Sequence, residues 1–200
     1  MQGIMAQNYH HVTYGEPHLD RTRRILETHP EVRSLFGYTP ISFVYLCGVV
    51  ALQIALAGLV SGEAFWVQLL SAFFIGAFAN HSMFVMIHEA THNLIFKSTI
   101  ANYWAGMIAN LPIVFPSAIG FRRFHLLHHR YQGEMDKDAD LAGPKEAAWV
   151  GNSTVRKAIW FLFFWVVEGI VRPSRLKNVK FTSTRLSISC LLYTSDAADE

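Results

Sequence analysis

FVYLCGVVALQIALAGLVSGEAFWVQLLSAFFIGAFANHSMFVMI, residues 43–87, is the stretch that decides the fold. It contains two apolar runs, Phe43 to Ser61 and Ala64 to Ile87, and neither run carries Asp, Glu, Lys or Arg. A helix needs about 20 apolar residues to cross about 30 Å of hydrocarbon, and each run is close to that length. The link around Glu63 is very short, so the pattern predicts a hairpin of two transmembrane helices.

The composition of the whole chain also points to a membrane. Of its 200 residues, 52% are hydrophobic and only 16% are charged, whereas soluble domains carry about 25% charged residues. The formal net charge of +2 comes without a basic stripe interleaved with aromatic residues, so no nucleic-acid partner is expected. The sequence therefore predicts an all-α polytopic membrane protein, in which a helical hairpin is joined by interfacial helices.

The orientation of the hairpin follows from the basic residues at its two outer ends. These are Arg21, Arg23, Arg24 and Arg33 before the hairpin, and Lys97, Arg122, Arg123 and Arg130 after it. The link carries Glu63 and no basic residue. Because cytoplasmic segments are enriched in Lys and Arg, we expect the N-terminus and the chain after His88 to lie in the cytosol.

Three regions follow from these patterns. Residues 1–40 form a cytosolic N-terminal segment, in which EPHLDRTRRILETHPEVRSLF predicts a short amphipathic helix capped by Asp20 and interrupted by Pro30. Residues 41–180 form a partial membrane domain. Residues 181–200 form an unstructured tail whose end, SCLLYTSDAADE, resembles a translated sequencing adaptor more than protein.

Two further apolar stretches lie inside the membrane domain. IANYWAGMIANLPIVFPSAIGF contains two prolines and several glycines, so we expect a re-entrant or interfacial segment. AIWFLFFWVVEGIV has about fourteen residues, a length typical of an interfacial helix or of the start of another span.

Five histidines fall into two spaced groups beside the predicted hairpin. His88 and His92 are four residues apart, and His125, His128 and His129 have the spacing H-x-x-H-H. On helices, each group would present its rings on one face. Imidazole is a ligand for iron, zinc, copper and nickel, and ionisable groups at membrane depth are usually functional. The pattern predicts a metal site with these five histidines as its ligands.

Other polar residues could support such a site as orienting groups around the ligands. His81 precedes His88 by seven residues on the same predicted helix face. Glu89 could orient an imidazole, and Asp138 and Asp140 could do the same from the loop DKDAD. That loop does not fit a calcium-binding EF-hand, because the required Gly and Glu are replaced by Leu141 and Ala147.

HEATH, residues 88–92, also fits the zinc-protease pattern H-E-x-x-H. An intramembrane zinc protease would use His88 and His92 as ligands and Glu89 as general base. A one-zinc site has no role for the second histidine group, which weighs against this alternative. A non-enzymatic membrane protein whose histidines bind metal or heme, or only pack, is a further alternative.

The histidine groups resemble those of the membrane fatty-acyl and sphingolipid desaturase superfamily. GEPHLDRTRRILETHPEVRSL, NHSMFVMIHEATHNLIF, ANLPIVFPSAIGFRRFHLLHHRYQG and DKDADLAGP are more specifically similar to the sphingolipid Δ4-desaturases, over roughly residues 8–178. In that comparison, His88 and His92 match the first histidine box, and His125, His128 and His129 match the second.

The resemblance implies a chemistry. Members of this family use two histidine-bound Fe ions and O₂ to convert dihydroceramide to ceramide, with a trans double bond at C4 of the sphingoid base. Cytochrome b5 and NADH-cytochrome b5 reductase supply the electrons, and the enzyme lies in the endoplasmic reticulum membrane. No catalytic residue separate from the metal ligands is expected. A sphingolipid C4-hydroxylase of the same superfamily remains an alternative.

The resemblance also implies a third histidine box near the C-terminus. No histidine follows His129 in this chain, so we expect a C-terminally truncated fragment that is inactive alone.

Overall fold

The computed structural model describes residues 17–113, 115 and 117–176, apart from the side chain of Leu19. Everything regular in this part of the chain is helical, and it contains no β-strand. The prediction of an all-α fold is confirmed for these residues. The predicted tail, 181–200, lies outside the described residues, as do His10 and His11.

The helices follow one another with short connections. They are α1 (His18–Thr28), a 3₁₀ helix (Pro30–Leu35), α2 (Ile41–Val60), α3 (Phe65–Thr91), α4 (Thr99–Ala109), α5 (Ala118–Tyr131), α6 (Pro144–Val150), α7 (Thr154–Leu162) and α8 (164–174). Two of them contain a single π-helical turn, at Ala72–Gly76 in α3 and at Val167–Val171 in α8.

Helices α2 and α3 are long and apolar enough to cross a membrane, with 20 and 27 residues. Only 11% and 17% of the residues in their most apolar windows are buried. A core helix of a soluble protein would bury most of its residues, so these two helices have the exposed apolar surface expected of membrane spans. Both extend beyond the predicted runs, α2 by two residues at its start and α3 to Thr91.

Two compact units can be distinguished in the described chain, residues 37–123 and residues 17–36 with 124–176. The first unit has a core where α2, α3 and α4 meet. Its buried members are Leu46, Val50, Met83, Ile87, Ala90, Ile95, Ala105 and Ala109. The small residues of α3 and α4 allow close helix contact, as Ala and Gly do in membrane helix pairs.

The loop between α3 and α4 is held by one buried amide. Asn102 is fully buried, and its Oδ1 accepts hydrogen bonds from the backbone N–H groups of Ile95 and Phe96. Its Nδ2 donates to the carbonyl oxygens of Phe96 and Ser98, at 2.6 and 2.8 Å. The loop backbone is therefore satisfied without water, which is required beside an apolar core.

The second unit is organised around buried Arg172 in α8. Its guanidinium forms ion pairs with Glu146 at 2.8 Å and with Glu168 at 2.5 Å. It also donates to the carbonyl oxygen of Asp140 at 2.5 Å. The indole of Trp160 donates to the Glu146 carboxylate at 3.0 Å. One charge cluster therefore connects α6, α7, α8 and the loop before α6, which contains Asp140.

Two local expectations are corrected. Asp20 does not cap α1, because Pro17 occupies the cap position and Asp20 lies in the first turn, where it pairs with Arg23. The stretch at 158–171 is not one helix, because α7 ends at Leu162 and Phe163 leaves the helical conformation. The stretch with two prolines, 100–121, contains most of the short helix α4 and the start of α5; as expected for a stretch that is not a full span, α4 is not among the candidate spans, and neither is α8.

Candidate metal centre

The first histidine group lies at the end of the long apolar helix α3. His88 is in its last turn, and His92 is the first residue after Thr91, where the helix ends. The N–H of His92 still donates to the carbonyl oxygen of His88, at 3.1 Å. This final helical turn keeps the two rings together, with centroids 4.7 Å apart. A ligand nitrogen of His88 lies within 4.8 Å of one of His92.

Aromatic residues pack beside this pair. The ring of Phe121, in the first half of α5, lies 4.9 Å from Phe84 and 6.2 Å from His88. These contacts fix α3 against the start of α5. They also cover one side of the His88 ring with apolar surface.

The polar neighbours of the first group differ in their geometry. Glu89 Oε1 lies 3.6 Å from His88 Nδ1, which is longer than a hydrogen bond. His81 is exposed on α3, and seven residues correspond to about 10 Å along the helix axis. His81 is therefore too far from His88 for a direct contact along the helix, and its supporting role stays a prediction.

The second histidine group lies on α5. The Nε2 atoms of His125 and His129 are 3.0 Å apart, so both rings turn their Nε2 toward the same point. The ring of His128 lies 5.6 Å from that of His129 and 6.1 Å from that of His125. The predicted i, i+3, i+4 arrangement on one helix is therefore present.

One aspartate in the loop after α5 forms a hydrogen bond with this group, and a second lies near it. Asp138 is buried, and its Oδ1 lies 2.8 Å from Nδ1 of His128. The same carboxylate accepts the N–H of Gly133 at 2.9 Å and the N–H of Asp140 at 2.9 Å. Asp140 Oδ2 lies 3.7 Å from His128 Nδ1 and 4.0 Å from His125 Nδ1.

This arrangement is the one that metal-binding histidines use. When a carboxylate accepts a hydrogen bond from Nδ1–H, the tautomer is fixed and Nε2 is left as the ligand atom. Here Asp138 holds Nδ1 of His128, and Nε2 of His125 and His129 face each other. The donor set is entirely imidazole nitrogen, which fits iron and also zinc, copper and nickel.

The comparisons with known proteins agree with this pattern. The profile described as fatty acid desaturase matches residues 64–193, and the one described as sphingolipid Delta4-desaturase matches residues 5–41. The chain belongs to the fatty acid desaturase family. This confirms the resemblance deduced from the histidine boxes, and it favours the desaturase interpretation of residues 88–92 over the zinc-protease hypothesis. No solved structure matches the chain.

Curated members of the family have related names. The chain is 42% identical over 193 residues to "Sphingolipid delta(4)-desaturase DES1-like" of Oryza sativa, covering 94% of this chain and 58% of the relative. It is 40% identical over 169 residues to "Sphingolipid delta(4)-desaturase" of Schizosaccharomyces pombe, covering 84% and 46%. A Caenorhabditis elegans relative, "Putative sphingolipid delta(4)-desaturase/C4-monooxygenase", is 35% identical over 147 residues, covering 72% and 40%. The chain thus spans about half the length of these relatives.

Sequence reasoning missed one residue beside the first histidine group. Arg122 donates from α5 to the backbone at the end of α3. Its position three residues before His125, on the inward side of a histidine-bearing helix, was the available signal. The sequence alone could not show that its target lies 31 and 32 residues earlier in the chain.

Proposed function

We propose that this protein is a sphingolipid Δ4-desaturase, which converts dihydroceramide to ceramide. The reaction removes two hydrogens with O₂ and forms a trans double bond at C4 of the sphingoid base. The observation that carries the proposal is the pair of spaced histidine groups in a chain whose relatives bear that name. The match of residues 5–41 to the Delta4-desaturase profile supports the choice of substrate class.

This function needs two iron ions. The proposed ligands are His88, His92, His125, His128 and His129. When bound, the iron supplies the activation of O₂ that an unactivated lipid C–H bond requires. The chain's own residues hold and orient the ligands. Asp138 keeps Nδ1 of His128 in a hydrogen bond, so that Nε2 would be the nitrogen that binds the metal.

The remaining partners follow from the same proposal. The apolar surfaces of α2 and α3 lie in the bilayer, which delivers a substrate with long alkyl chains. Cytochrome b5 and NADH-cytochrome b5 reductase supply the electrons from the cytosolic side of the endoplasmic reticulum membrane. The basic residues flanking the hairpin support that orientation.

Metal binding is the direct test of the centre. The purified chain in detergent is titrated with Fe²⁺ under anaerobic conditions, beside H92A, H128A and the exposed-histidine control H29A. We expect the wild type and H29A to bind Fe²⁺ alike, and H92A and H128A to bind at least tenfold more weakly, because each loses a ligand. Equal Fe²⁺ affinity in all four proteins would contradict the assignment of ligands.

The reaction is tested by its lipid product. Cells that make dihydroceramide but no ceramide receive the complete gene, and their sphingolipids are measured by mass spectrometry. Ceramide with a C4 trans double bond is the expected product, and it should disappear in the H128A version. Unchanged dihydroceramide with an expressed, iron-loaded protein would contradict the Δ4-desaturase proposal.

A C4-hydroxylase is the second candidate, because the Caenorhabditis elegans relative is named for both activities. Both reactions begin at C4 of the same sphingoid base, so metal binding cannot separate them. The same lipid measurement does, since hydroxylation adds one oxygen to the base and desaturation removes two hydrogens. A product with an added hydroxyl group would favour this candidate.

A further inference from the structure

The helix that carries the first histidine pair ends in a defined backbone turn. The N–H of Asn93 donates to the carbonyl oxygen of Ala90, and the N–H of Leu94 donates to that of Glu89, both at 3.1 Å. Asn93 has φ +55°, the left-handed conformation that asparagine tolerates better than most residues. Together these features form a Schellman motif, and His92 is the residue at its centre.

One guanidinium holds both sides of that turn. Nη1 of Arg122 donates to the carbonyl oxygens of Ala90 at 3.0 Å and Thr91 at 2.5 Å. Nη2 donates to Oδ1 of Asn93 at 3.2 Å. The acceptors lie on residues 90, 91 and 93, so they bracket His92 in the chain.

The arginine itself is held in place. Its Cζ lies 4.6 Å from the centre of the Tyr103 ring on α4, which is within cation–π distance. The side chain is half-buried. Stacking on the ring limits rotation of the guanidinium and so keeps its planar fork directed at the end of α3.

We propose that Arg122 is a positioning residue for His92 and that it fixes this ring in its ligand orientation. The inference rests on the proposed function, in which His92 binds iron. Carbonyl groups in the last turn of a helix lack the partners of an interior turn, and here Arg122 adds to the Schellman turn by donating to the carbonyls of Ala90 and Thr91. A ligand at such a position needs an external hold, and Arg122 supplies it from the helix that also carries His125, His128 and His129.

The chemistry of the hold is specific to arginine. A planar guanidinium has five N–H donors in a fixed fork, whereas a lysine ammonium is a point charge on a flexible stem. Lysine at position 122 keeps the charge but loses the simultaneous contact with three acceptors. A cap that acts only on stability would lower the melting temperature without changing the metal affinity of the folded protein.

The test compares R122K with the control R33K, which makes the same change at an exposed position far from it in the chain. Anaerobic titration with Fe²⁺ gives the metal affinity of the folded chain. Hydrogen exchange of the metal-free chain reports on the amides of residues 92–94. We expect R122K to bind Fe²⁺ about 10- to 100-fold more weakly, as with other groups that orient ligands, and to exchange faster at 92–94, while R33K behaves as wild type.

A second variant covers the case in which R122K does not fold. N93G keeps the left-handed backbone but removes the Oδ1 acceptor, and we expect a smaller loss of Fe²⁺ affinity with faster exchange at the same amides. Wild-type affinity and exchange in R122K, or in N93G where R122K cannot be purified, overturn the inference. A wild-type chain that binds no Fe²⁺ contradicts instead the proposed metal centre on which the inference rests, so the two failures can be told apart.

Discussion

At the residue scale, the buried carboxylate of Asp138 sets the orientation of the His128 ring. Asp138 is 1% exposed, and it forms hydrogen bonds with Nδ1 of His128 and with the N–H groups of Gly133 and Asp140. The two backbone contacts fix the carboxylate before any ligand binds. The orientation of His128 is therefore set by the loop that follows α5.

Replacing Asp138 by asparagine should weaken metal binding without emptying the site. Asparagine keeps the shape but loses the negative charge that raises the basicity of the imidazole, so we expect D138N to bind Fe²⁺ about 10- to 100-fold more weakly. Anaerobic titration measures this, with D136N as the control from the same loop, because Asp136 is exposed. Equal affinity in D138N and wild type would show that His128 is oriented by other means.

A second feature at the residue scale is the cluster around Arg172, where the carboxyl groups of Glu146 and Glu168 contact the same guanidinium. Burial disfavours the charge on Glu146, but hydrogen bonds from Arg172 and Trp160 outweigh that effect and hold the pKa of Glu146 below its ordinary value. Burial raises the pKa of Glu168 from 4.5 to about 7, with the nearby Asp140 and Glu146 acting in the same direction and Arg172 opposing it. The guanidinium of Arg172 therefore stabilises the negative charge of Glu146 more than that of Glu168.

Stability should therefore fall as the pH rises through this range. Near pH 7 and below, the folded state binds a proton on Glu168 that the unfolded state has already lost above about pH 4.5. The free energy of unfolding then decreases from about pH 5 to about pH 7 and levels off above that. Thermal unfolding in detergent at several pH values measures the slope.

E168Q is the variant that isolates this effect, because glutamine cannot titrate. Its unfolding should lose most of the pH dependence between pH 5 and 7, whereas E134Q, at an exposed glutamate, should retain it. A wild-type slope in E168Q would assign the pH dependence to another group.

At the element scale, the connection between α3 and α4 depends on Asn102. Its amide replaces the backbone partners that the loop at 95–98 would otherwise find in water. N102A leaves buried N–H and C=O groups without partners, and we expect a loss of about 3 kcal/mol in the free energy of unfolding. Denaturant titration in mixed micelles measures it, and N152A, at an exposed position, should change stability by less than about 0.5 kcal/mol. A loss of similar size in both variants would contradict the role of Asn102.

The elements themselves were largely predictable, and the reasons are local. Helices α2 and α3 follow from apolar runs whose length and composition act along the chain itself. The break at Phe163 could not be predicted from the sequence. Its neighbours are as apolar as those in a continuous helix, and the hydrophobic periodicity shows no helix end there. The predicted N-cap of α1 was wrong. Pro17, with its helical φ, already occupies the cap position three residues before Asp20.

Part of the candidate site could likewise be predicted from the sequence, and part could not. The spacing of His125, His128 and His129 on one helix could be deduced from helical geometry alone, and so could an orienting role for the nearby aspartates. The bonds from Arg122 to Ala90 and Thr91 could not, because they join residues more than thirty positions apart and depend on how α5 packs against α3. Long-range polar contacts of this kind leave no periodic trace in a sequence.

At the scale of the whole molecule, the orientation in the membrane is the feature on which the proposed electron supply depends. A cytosolic donor can reach the histidine boxes only if the end of α3 faces the cytosol. The basic residues on both outer sides of the hairpin predict that orientation, since translocating them across the membrane is disfavoured. The link at residues 61–64 should then lie on the opposite, lumenal side.

Cysteine labelling in sealed, cytosolic-side-out vesicles tests this topology. The natural cysteines, Cys47 and Cys190, are first replaced by serine, and single cysteines are then placed at the exposed positions Ser34, Gly62 and Lys97. A membrane-impermeant maleimide should label S34C and K97C in intact vesicles, but label G62C only after detergent is added. The reverse pattern would place the histidine boxes in the lumen, where cytosolic cytochrome b5 could not reduce them, and the proposed electron supply would be wrong even if iron binds.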